Sequence, residues 1–402
     1  MKRRRGGGQS AYSVGPCTKA ALGNVDTVDG EEANAVRRRY ALLLAAEEPV
    51  PALELLISLG DFEAADRVAR VHFSAIVAGG DQVLQMLGSL QSKDSMRAPI
   101  LHGLRGYLAV QQRVQPGRYL KELAESARAK LLSFDDPLER QDGHPGTGLP
   151  VDMQGLLMAA ERVLGNWDEA LFHGYNLEAK ISEHDPHDLF GEGAPPHATH
   201  SALLLLYFQV AVTALLGGGD AAMARRCTAR ALWEAEHNQD WGEQAKANFL
   251  LALLHSVVFS TADSSRFLLD AHALLTRTGE TEADATVAGR IAEALNAFVG
   301  GDPETARSAL RELEPSTHSS ELWPVFAMVE ARVLHYLEGP RAALHRLQRT
   351  LADRASDPPM SPFMRRVLVS RAADLATCAG ELAVARDLLT TELGDNRGAL
   401  LL

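Results

Sequence analysis

Four histidines form the densest group of side chains in this chain with the chemistry to bind a ligand. They make two His-x-x-His pairs, His184 with His187 and His197 with His200. Three carboxylates lie among them, at Asp185, Asp188 and Glu192. Imidazole nitrogens and carboxylates at this density can hold Zn²⁺ or a similar ion. The spacing matches no metal motif, and a Pro- and Gly-rich loop positions ligands poorly. We therefore expect the His184–His200 loop to be polar and to hold neither metal nor another cofactor.

Large aromatic side chains are the second group with a possible binding role, because they can line a ligand groove. In helical repeats, tryptophans usually pack between neighbouring units, so we expect packing roles for Trp167, Trp233, Trp241 and Trp323. A further set lies on long apolar segments and is expected in the core: Tyr207, Phe208, Phe249, His255 and Phe259.

Catalytic and nucleic-acid-binding patterns are missing from the sequence. No Ser/His/Asp, Cys/His or paired-carboxylate set stands at an interpretable spacing, so we expect no enzyme activity and name no catalytic or cofactor-binding residue. The net charge of −12 and pI near 5.6 argue against a large nucleic-acid surface. Cys17, Cys227 and Cys378 are too scattered for a disulfide framework or a zinc motif. A reducing, cytoplasmic location is expected.

No segment reaches the roughly 18 uninterrupted apolar residues that a membrane span needs. The nearest stretch, 202–216, is shorter and contains Gln209 and Thr213. We expect it to be a buried helix, and we expect no membrane partner.

A recurring turn organises the rest of the chain. In each copy a glycine is followed five residues later by an alanine, between two amphipathic segments. The glycine can adopt the positive φ that ends a helix, an Asp or Asn after it can cap the next helix, and the small alanine lets the two helices cross closely. The copies are Gly60/Ala65, Gly165/Ala170, Gly219/Ala224, Gly301/Ala306 and Gly380/Ala385.

Such a repeated joint predicts an all-α, tetratricopeptide-like solenoid of helical hairpins, wound as a right-handed superhelix. The unit is about 40 residues, longer than the roughly 34 of a regular tetratricopeptide repeat. The predicted organisation is a disordered basic, Gly-rich tail at 1–28, N-terminal repeats at 29–135, a loop or hinge at 136–150, C-terminal repeats at 151–393 and a tail at 394–402. No alternating pattern indicates a strand.

The segment 37–110 resembles the helical-repeat domain of MalT-type regulators of the LuxR family. The resemblance rests on Arg38-Arg39-Tyr40, on the stretch from Ala52 to Ala65 with its Gly60-Asp61 joint, and on an apolar helix beginning at Val83. Pro99 then opens the next helix, as a proline often does in that family. Outside this segment the sequence matches any tetratricopeptide-like protein equally well.

This resemblance implies a non-enzymatic sensor or regulatory module. The family carries a nucleotide-binding module and a helix-turn-helix, yet no Gly-x-x-x-x-Gly-Lys-Ser/Thr loop occurs here, and only nine residues follow the last predicted helix at Leu393. We expect these modules to be missing, so direct DNA binding is not expected. The expected partner is a protein segment or a small inducer on the concave face. The alternative is a tetratricopeptide scaffold unrelated to transcription.

Overall fold

A computed structural model describes most of the chain, and all structural statements below concern the residues it describes. These are 2–4, 11–13, 31–72, 75–76, 79–90, 98–112, 117–133, 144–183, 189, 196–278, 283–317, 320–353 and 360–393. Most of the predicted tail 1–28, the segment 136–143 and the tail 394–402 lie outside them.

Two three-residue strands stand apart from an otherwise helical structure. They are β1 (Lys2–Arg4) and β2 (Ala11–Ser13), which pair antiparallel with Arg3 opposite Tyr12. The sequence indicates no strand here, because three residues of a basic, Gly-rich segment are too few to show an alternating pattern.

The helices begin with a group of single helices and continue as hairpins. The first group is α1 (Glu31–Leu44), α2 (Pro49–Ser58), α3 (Phe62–Val71) and α4 (Gly80–Gly88). The hairpins are α5 (Pro99–Gln112) with α6 (Gly117–Leu132), α7 (Val151–Leu164) with α8 (Trp167–Glu183), α9 (Pro196–Thr213) with α10 (Ala221–His237), α11 (Trp241–Val257) with α12 (Thr261–Thr278), α13 (Ala283–Val299) with α14 (Pro303–Thr317), α15 (Trp323–Glu338) with α16 (Pro340–Asp353) and α17 (Pro362–Cys378) with α18 (Leu382–Leu393). A π-helical turn, Ala214–Gly218, extends α9.

The joints between helices have the predicted construction. The five glycines of the recurring turn all have positive φ, from 68° to 87°. Aspartates after three of them accept hydrogen bonds from backbone N–H groups of the next helix, as Asp220 does from Met223 at 2.8 Å. The five alanines are at most 6% exposed, so the predicted helix crossings are confirmed.

Each helix packs against its neighbours along the chain, so the molecule is an all-α, tetratricopeptide-like solenoid. Buried apolar side chains form three successive clusters, one from Ala41 to Ala159, one from Val151 to Met364 and one from Trp323 to Ala385. The segment 202–216 is buried within the second cluster, as predicted. Among the described helices, none is long and apolar enough to cross a membrane.

The solenoid curls far enough for distant repeats to touch. The Ser361 hydroxyl, at the start of α17, donates to the carbonyl of Leu216 at the end of α9. The ring of Phe363 lies so close to Gly219 that a Cβ there would overlap it. These helices belong to hairpins four repeats apart, so their contacts bridge the inside of the curve. The chain's own side chains therefore interrupt what the sequence predicts as a continuous concave groove.

Candidate functional site

A small open pocket, with a cavity volume of about 30 Å³, lies between α3, α7 and α9. Its walls are apolar, and its rim carries polar groups. The apolar residues are Gly155, Leu156, Ala202, Leu205 and Leu206, and the polar ones are Arg70, Asp152 and Gln209. Its enclosed part is small, so the pocket suits one aliphatic side chain of a larger ligand and not a bulky cofactor.

Close contact between α7 and α9 gives the pocket its shape. Gly155 lies in the middle of α7, where glycine costs about 1 kcal/mol relative to alanine. A Cβ at this position would collide with the side chain of Leu206 on α9. Glycine therefore allows the two helices to approach, and the pocket opens beside this crossing.

An ion pair closes one end of the pocket. The Nε atom of Arg70, the last-turn arginine of α3, is 2.7 Å from Oδ2 of Asp152 in the first turn of α7. Burial raises the pKa of Asp152, and the guanidinium of Arg70 opposes this shift. The pair fixes α3 against α7 although the two residues are far apart in sequence.

A second carboxyl, that of the half-buried Asp66, interacts electrostatically with both members of this ion pair. Its Oδ1 accepts a hydrogen bond of 3.0 Å from the backbone N–H of Leu101, in the first turn of α5. Burial raises the pKa of Asp66 to about 7, against the opposing effects of this hydrogen bond and of the positive charge of Arg70. Near neutral pH the Asp66 carboxyl therefore changes its charge beside Arg70 and Asp152.

Gln209, the polar lining residue on α9, is held in place by the buried side chain of Arg162. Arg162 donates to Oε1 of Gln209 at 2.5 Å and to Oγ1 of Thr213 at 3.0 Å. Its Nη2 atom is also 3.5 Å from a carboxylate oxygen of Glu321, which precedes α15. This one side chain joins α7 and α9 to a hairpin four repeats away.

A further buried network fixes α7 against α8. The Gln154 amide donates to Oδ1 of Asn176 at 2.8 Å, and its oxygen accepts from Lys180 at 3.2 Å. Lys180 also donates to the carbonyl of Thr147 at 2.5 Å. The described end of the predicted loop, 144–150, is thereby held against α8. This network positions the wall of the pocket and does not line it.

The histidine-rich loop lies largely outside the described residues. This is so for His184 and His187, while His197 is placed only as part of the backbone of α9. Nδ1 of His200 contacts the buried carboxylate of Glu234. Within the described part of the chain, no group of three or more His, Cys, Asp or Glu side chains is placed to hold a metal ion. The structure thus assigns His200 to a pairing between α9 and α10.

The aromatic expectations are partly confirmed. Trp167 and Trp323 are buried, as are Tyr207, Phe208 and Phe249, while His255 is half-buried. The packing expectation is wrong for Trp233 and Trp241, which are 49% and 45% exposed. The ring of Trp233 lies against that of His237, tilted by 39°, with centroids 3.7 Å apart. The guanidinium of Arg277 lies over the ring of Trp241. Both tryptophans lie at surface positions of their helices, where polar neighbours cover one side of the ring.

The core expectation is also wrong for Phe259, which is 58% exposed. The helix ends at Val257, two residues before this phenylalanine. The apolar sequence pattern continues beyond the end of α11 into the joint, where periodicity no longer indicates burial.

The sequence did not indicate the pocket residues Arg70, Asp152 and Gln209. They come from three different helices and share no motif. Gly155 was the usable signal, since a glycine inside a strongly helical stretch indicates a close approach of another helix.

The described helices form a tetratricopeptide-like solenoid with a small pocket between α3, α7 and α9. No protein-family model matches the chain, and no curated protein matches its sequence. Among solved structures, a Rap protein complexed with competence and sporulation factor is similar at 11% identity and a TM-score of 0.53, over 90% of this chain and 97% of that chain. A signal transduction ATPase with numerous domains, carrying a tetratricopeptide repeat sensor, from Pyrococcus horikoshii, is similar at 12% identity and a TM-score of 0.52.

The second similarity covers 92% of this chain and 53% of the ATPase, so the chain spans about half of that protein's length. At these identities both similarities establish the tetratricopeptide-like fold and nothing finer. The chain is accordingly a tetratricopeptide-like helical-repeat protein.

Proposed function

We propose that this chain is a non-catalytic sensor module that binds a polypeptide segment by inserting an aliphatic side chain into the pocket between α7 and α9. The observation that carries the proposal is the small apolar cavity whose polar lining residues are the ion pair of Arg70 with Asp152 and the side chain of Gln209. Apolar walls favour an aliphatic group, and polar groups at the rim can hydrogen-bond to the backbone on either side of it.

The two solved neighbours support a regulatory use. One is complexed with competence and sporulation factor, and the other contains a tetratricopeptide repeat sensor attached to an ATPase. The resemblance of 37–110 to MalT-type regulators leads to the finer proposal that the regulated output is transcription. The partner would then be, or would control, a DNA-binding protein.

Site-specific cross-linking tests the binding proposal. A photo-reactive amino acid replaces Leu205, which lines the pocket, and in a matched variant it replaces Leu269, which is 72% exposed on α12. We expect a cross-linked polypeptide from position 205 in cells, and expect Leu156→Trp, which fills the cavity from the opposite wall, to abolish it. Cross-linking that is equal at both positions, or that persists when the cavity is filled, would contradict the proposal.

The same experiment separates the two functions. If the polypeptide captured at position 205 belongs to a transcription regulator, the transcriptional output is supported. If it belongs to a complex with no DNA-binding or regulatory component, the general scaffold is the better description. That outcome would remove the finer proposal and leave the pocket as a protein-binding site.

A further inference from the structure

Phe259 occupies the backbone position that is a glycine inside the other hairpins whose joints the structure describes. It lies in the joint between α11 and α12 with a φ of 62°, close to the values of the five joint glycines. A bulky side chain rarely adopts this conformation, because its Cβ crowds the backbone. The phenylalanine is also 58% exposed, so core packing does not explain it. The backbone of Phe259 is strained and its side chain is exposed, and this combination indicates a functional role for the ring.

Two further aromatic side chains lie near the ends of helices in the next two hairpins. Tyr336, near the end of α15, is 71% exposed and meets the ring of Phe298 on α13 edge-on, with centroids 6.0 Å apart. The guanidinium of Arg332 lies 5.6 Å from the centroid of the Phe259 ring. These groups, with Arg371 on the adjacent helix α17, are called the aromatic–arginine surface below.

The positive charges of this surface are not neutralised by ion pairs. Arg371 donates from Nη2 to Nδ1 of His335 at 3.1 Å, while its buried Nε has no hydrogen-bond partner in the described structure. Burial lowers the pKa of Arg371, and the positive charge of Arg332 lowers it further; the Asp374 carboxylate opposes both effects. No described carboxylate forms an ion pair with Arg332 or Arg371. In a chain of net charge −12, this is a local excess of positive charge.

Two guanidinium groups beside an aromatic ring favour a carboxylate. Arginine presents planar donors that match the two oxygens of a carboxylate, and such charge-assisted hydrogen bonds are about twice as strong as neutral ones. The exposed rings of Phe259 and Tyr336 give an apolar side chain a surface to pack against.

We propose that the aromatic–arginine surface binds an acidic peptide segment, with one carboxylate held by Arg332 and Arg371 and an adjacent aromatic side chain packed on Phe259 and Tyr336. This site is separate from the pocket between α7 and α9. It rests on the proposed function only in taking the partner to be a polypeptide.

Fluorescence anisotropy of the full chain with two labelled peptides tests this chemistry. One peptide alternates glutamate with phenylalanine, and the other replaces every glutamate by glutamine. We expect the glutamate peptide to bind at least about tenfold more tightly. Equal affinity for the two peptides, or no binding of the glutamate peptide, would overturn the proposal.

Variants of the protein locate the site. Arg332→Gln and Arg371→Gln should each weaken binding of the glutamate peptide by about tenfold or more. Arg366→Gln removes an exposed charge from the same helix as Arg371 and should change affinity by less than about twofold. Unchanged affinity in Arg332→Gln contradicts the proposal even if Arg371→Gln fails to fold.

Phe259→Gly separates recognition from stability. Glycine relieves the strained φ, so the melting temperature should stay equal or rise, while affinity for the glutamate peptide should fall. Full affinity in this variant would overturn the role of the ring. The pocket-filling Leu205→Trp should leave peptide affinity unchanged. If the photo-reactive residue at position 205 captures no polypeptide in the otherwise unaltered chain while the glutamate peptide still binds, the proposed function alone is contradicted. A cross-link from position 205 without binding of the glutamate peptide would contradict the aromatic–arginine surface alone.

Discussion

Single residues at the helix joints show how local backbone conformation decides what the sequence can predict. The glycines were predictable because a positive φ strongly favours that residue, and the alanines because a close helix crossing needs a small side chain. Phe259 and Gln239 take the same positive φ without being glycine, and Phe259 was predicted to be buried. A non-glycine residue at such a joint follows from no rule of sequence, so only the structure reveals it.

Two joint glycines should respond differently to the same substitution. A Cβ at Gly301 would meet nothing within 4 Å, so Gly301→Ala should cost only the backbone term, about 1–2 kcal/mol. Gly219 has similar φ but faces the ring of Phe363, so Gly219→Ala should cost more. Denaturant unfolding of both variants checks this difference. Equal losses of stability would show that Phe363 does not press on this joint.

The carboxyl of Asp66 should make stability depend on pH. Its pKa of about 7 in the folded state lies above the ordinary value of 3.8, so between these two pH values the folded state holds a proton that the unfolded state has released. The free energy of unfolding should therefore fall as pH rises from about 4 to about 7, and change little above that through this group.

Asp66→Asn should flatten this part of the pH profile and raise stability at pH 8, since the amide oxygen can still accept from Leu101. Urea unfolding across this pH range is the measurement. Asp302→Asn is the control with the opposite sign, because its hydrogen bonds to Thr305 lower the pKa of this exposed carboxyl. If Asp66→Asn shows the same dependence of stability on pH as the wild type, the raised pKa of the Asp66 carboxyl is contradicted.

The positions of the helix joints and the crossings of helices were the features that the sequence predicted best. The recurring glycine–alanine turns correctly predicted five joints between helices, because the glycine ends one helix and the apolar face of the next begins after it. The pocket was not predictable in this way. Its walls depend on how α3, α7 and α9 meet, and that arrangement depends on ion pairs such as Arg70–Asp152, which no local pattern encodes.

The crossing of α13 and α14 offers a direct test of the hairpin construction. Ala306 is fully buried there, so Ala306→Leu should push the helices apart at a cost of about 1–3 kcal/mol. Amide hydrogen exchange should accelerate in α13 and α14 and much less in distant hairpins, since repeats lose structure locally. Ala273→Leu, on the exposed side of α12, should leave exchange unchanged. Unaltered exchange in Ala306→Leu would argue against this crossing.

At the scale of the whole molecule, the curvature of the solenoid was not predictable. The hydrogen bond from Ser361 to Leu216 joins residues 145 apart, and the repeat pattern carries no information about such a contact. A tetratricopeptide-like superhelix was expected to leave its concave face open. Contacts from α7 to the start of α15 and from α9 to α17 instead bridge its inside.

Loss of the bridge between α9 and α17 should open the solenoid. Phe363→Ala removes the ring that packs on Gly219, so small-angle X-ray scattering should show a larger radius of gyration than for the wild type. Leu382→Ala removes a 63% exposed leucine at the start of α18 and should leave the radius unchanged. An unchanged radius in Phe363→Ala would indicate that this bridge does not set the curvature.

The pocket between α7 and α9 as a polypeptide-binding site is the central claim, and a calorimetric titration tests it most directly. The polypeptide captured at position 205 is titrated into the wild type, into Leu205→Trp and into Leu269→Trp. Filling the pocket should weaken binding by about tenfold or more, whereas the same substitution on the exposed side of α12 should leave affinity unchanged. Equal affinity of Leu205→Trp and the wild type would contradict the account.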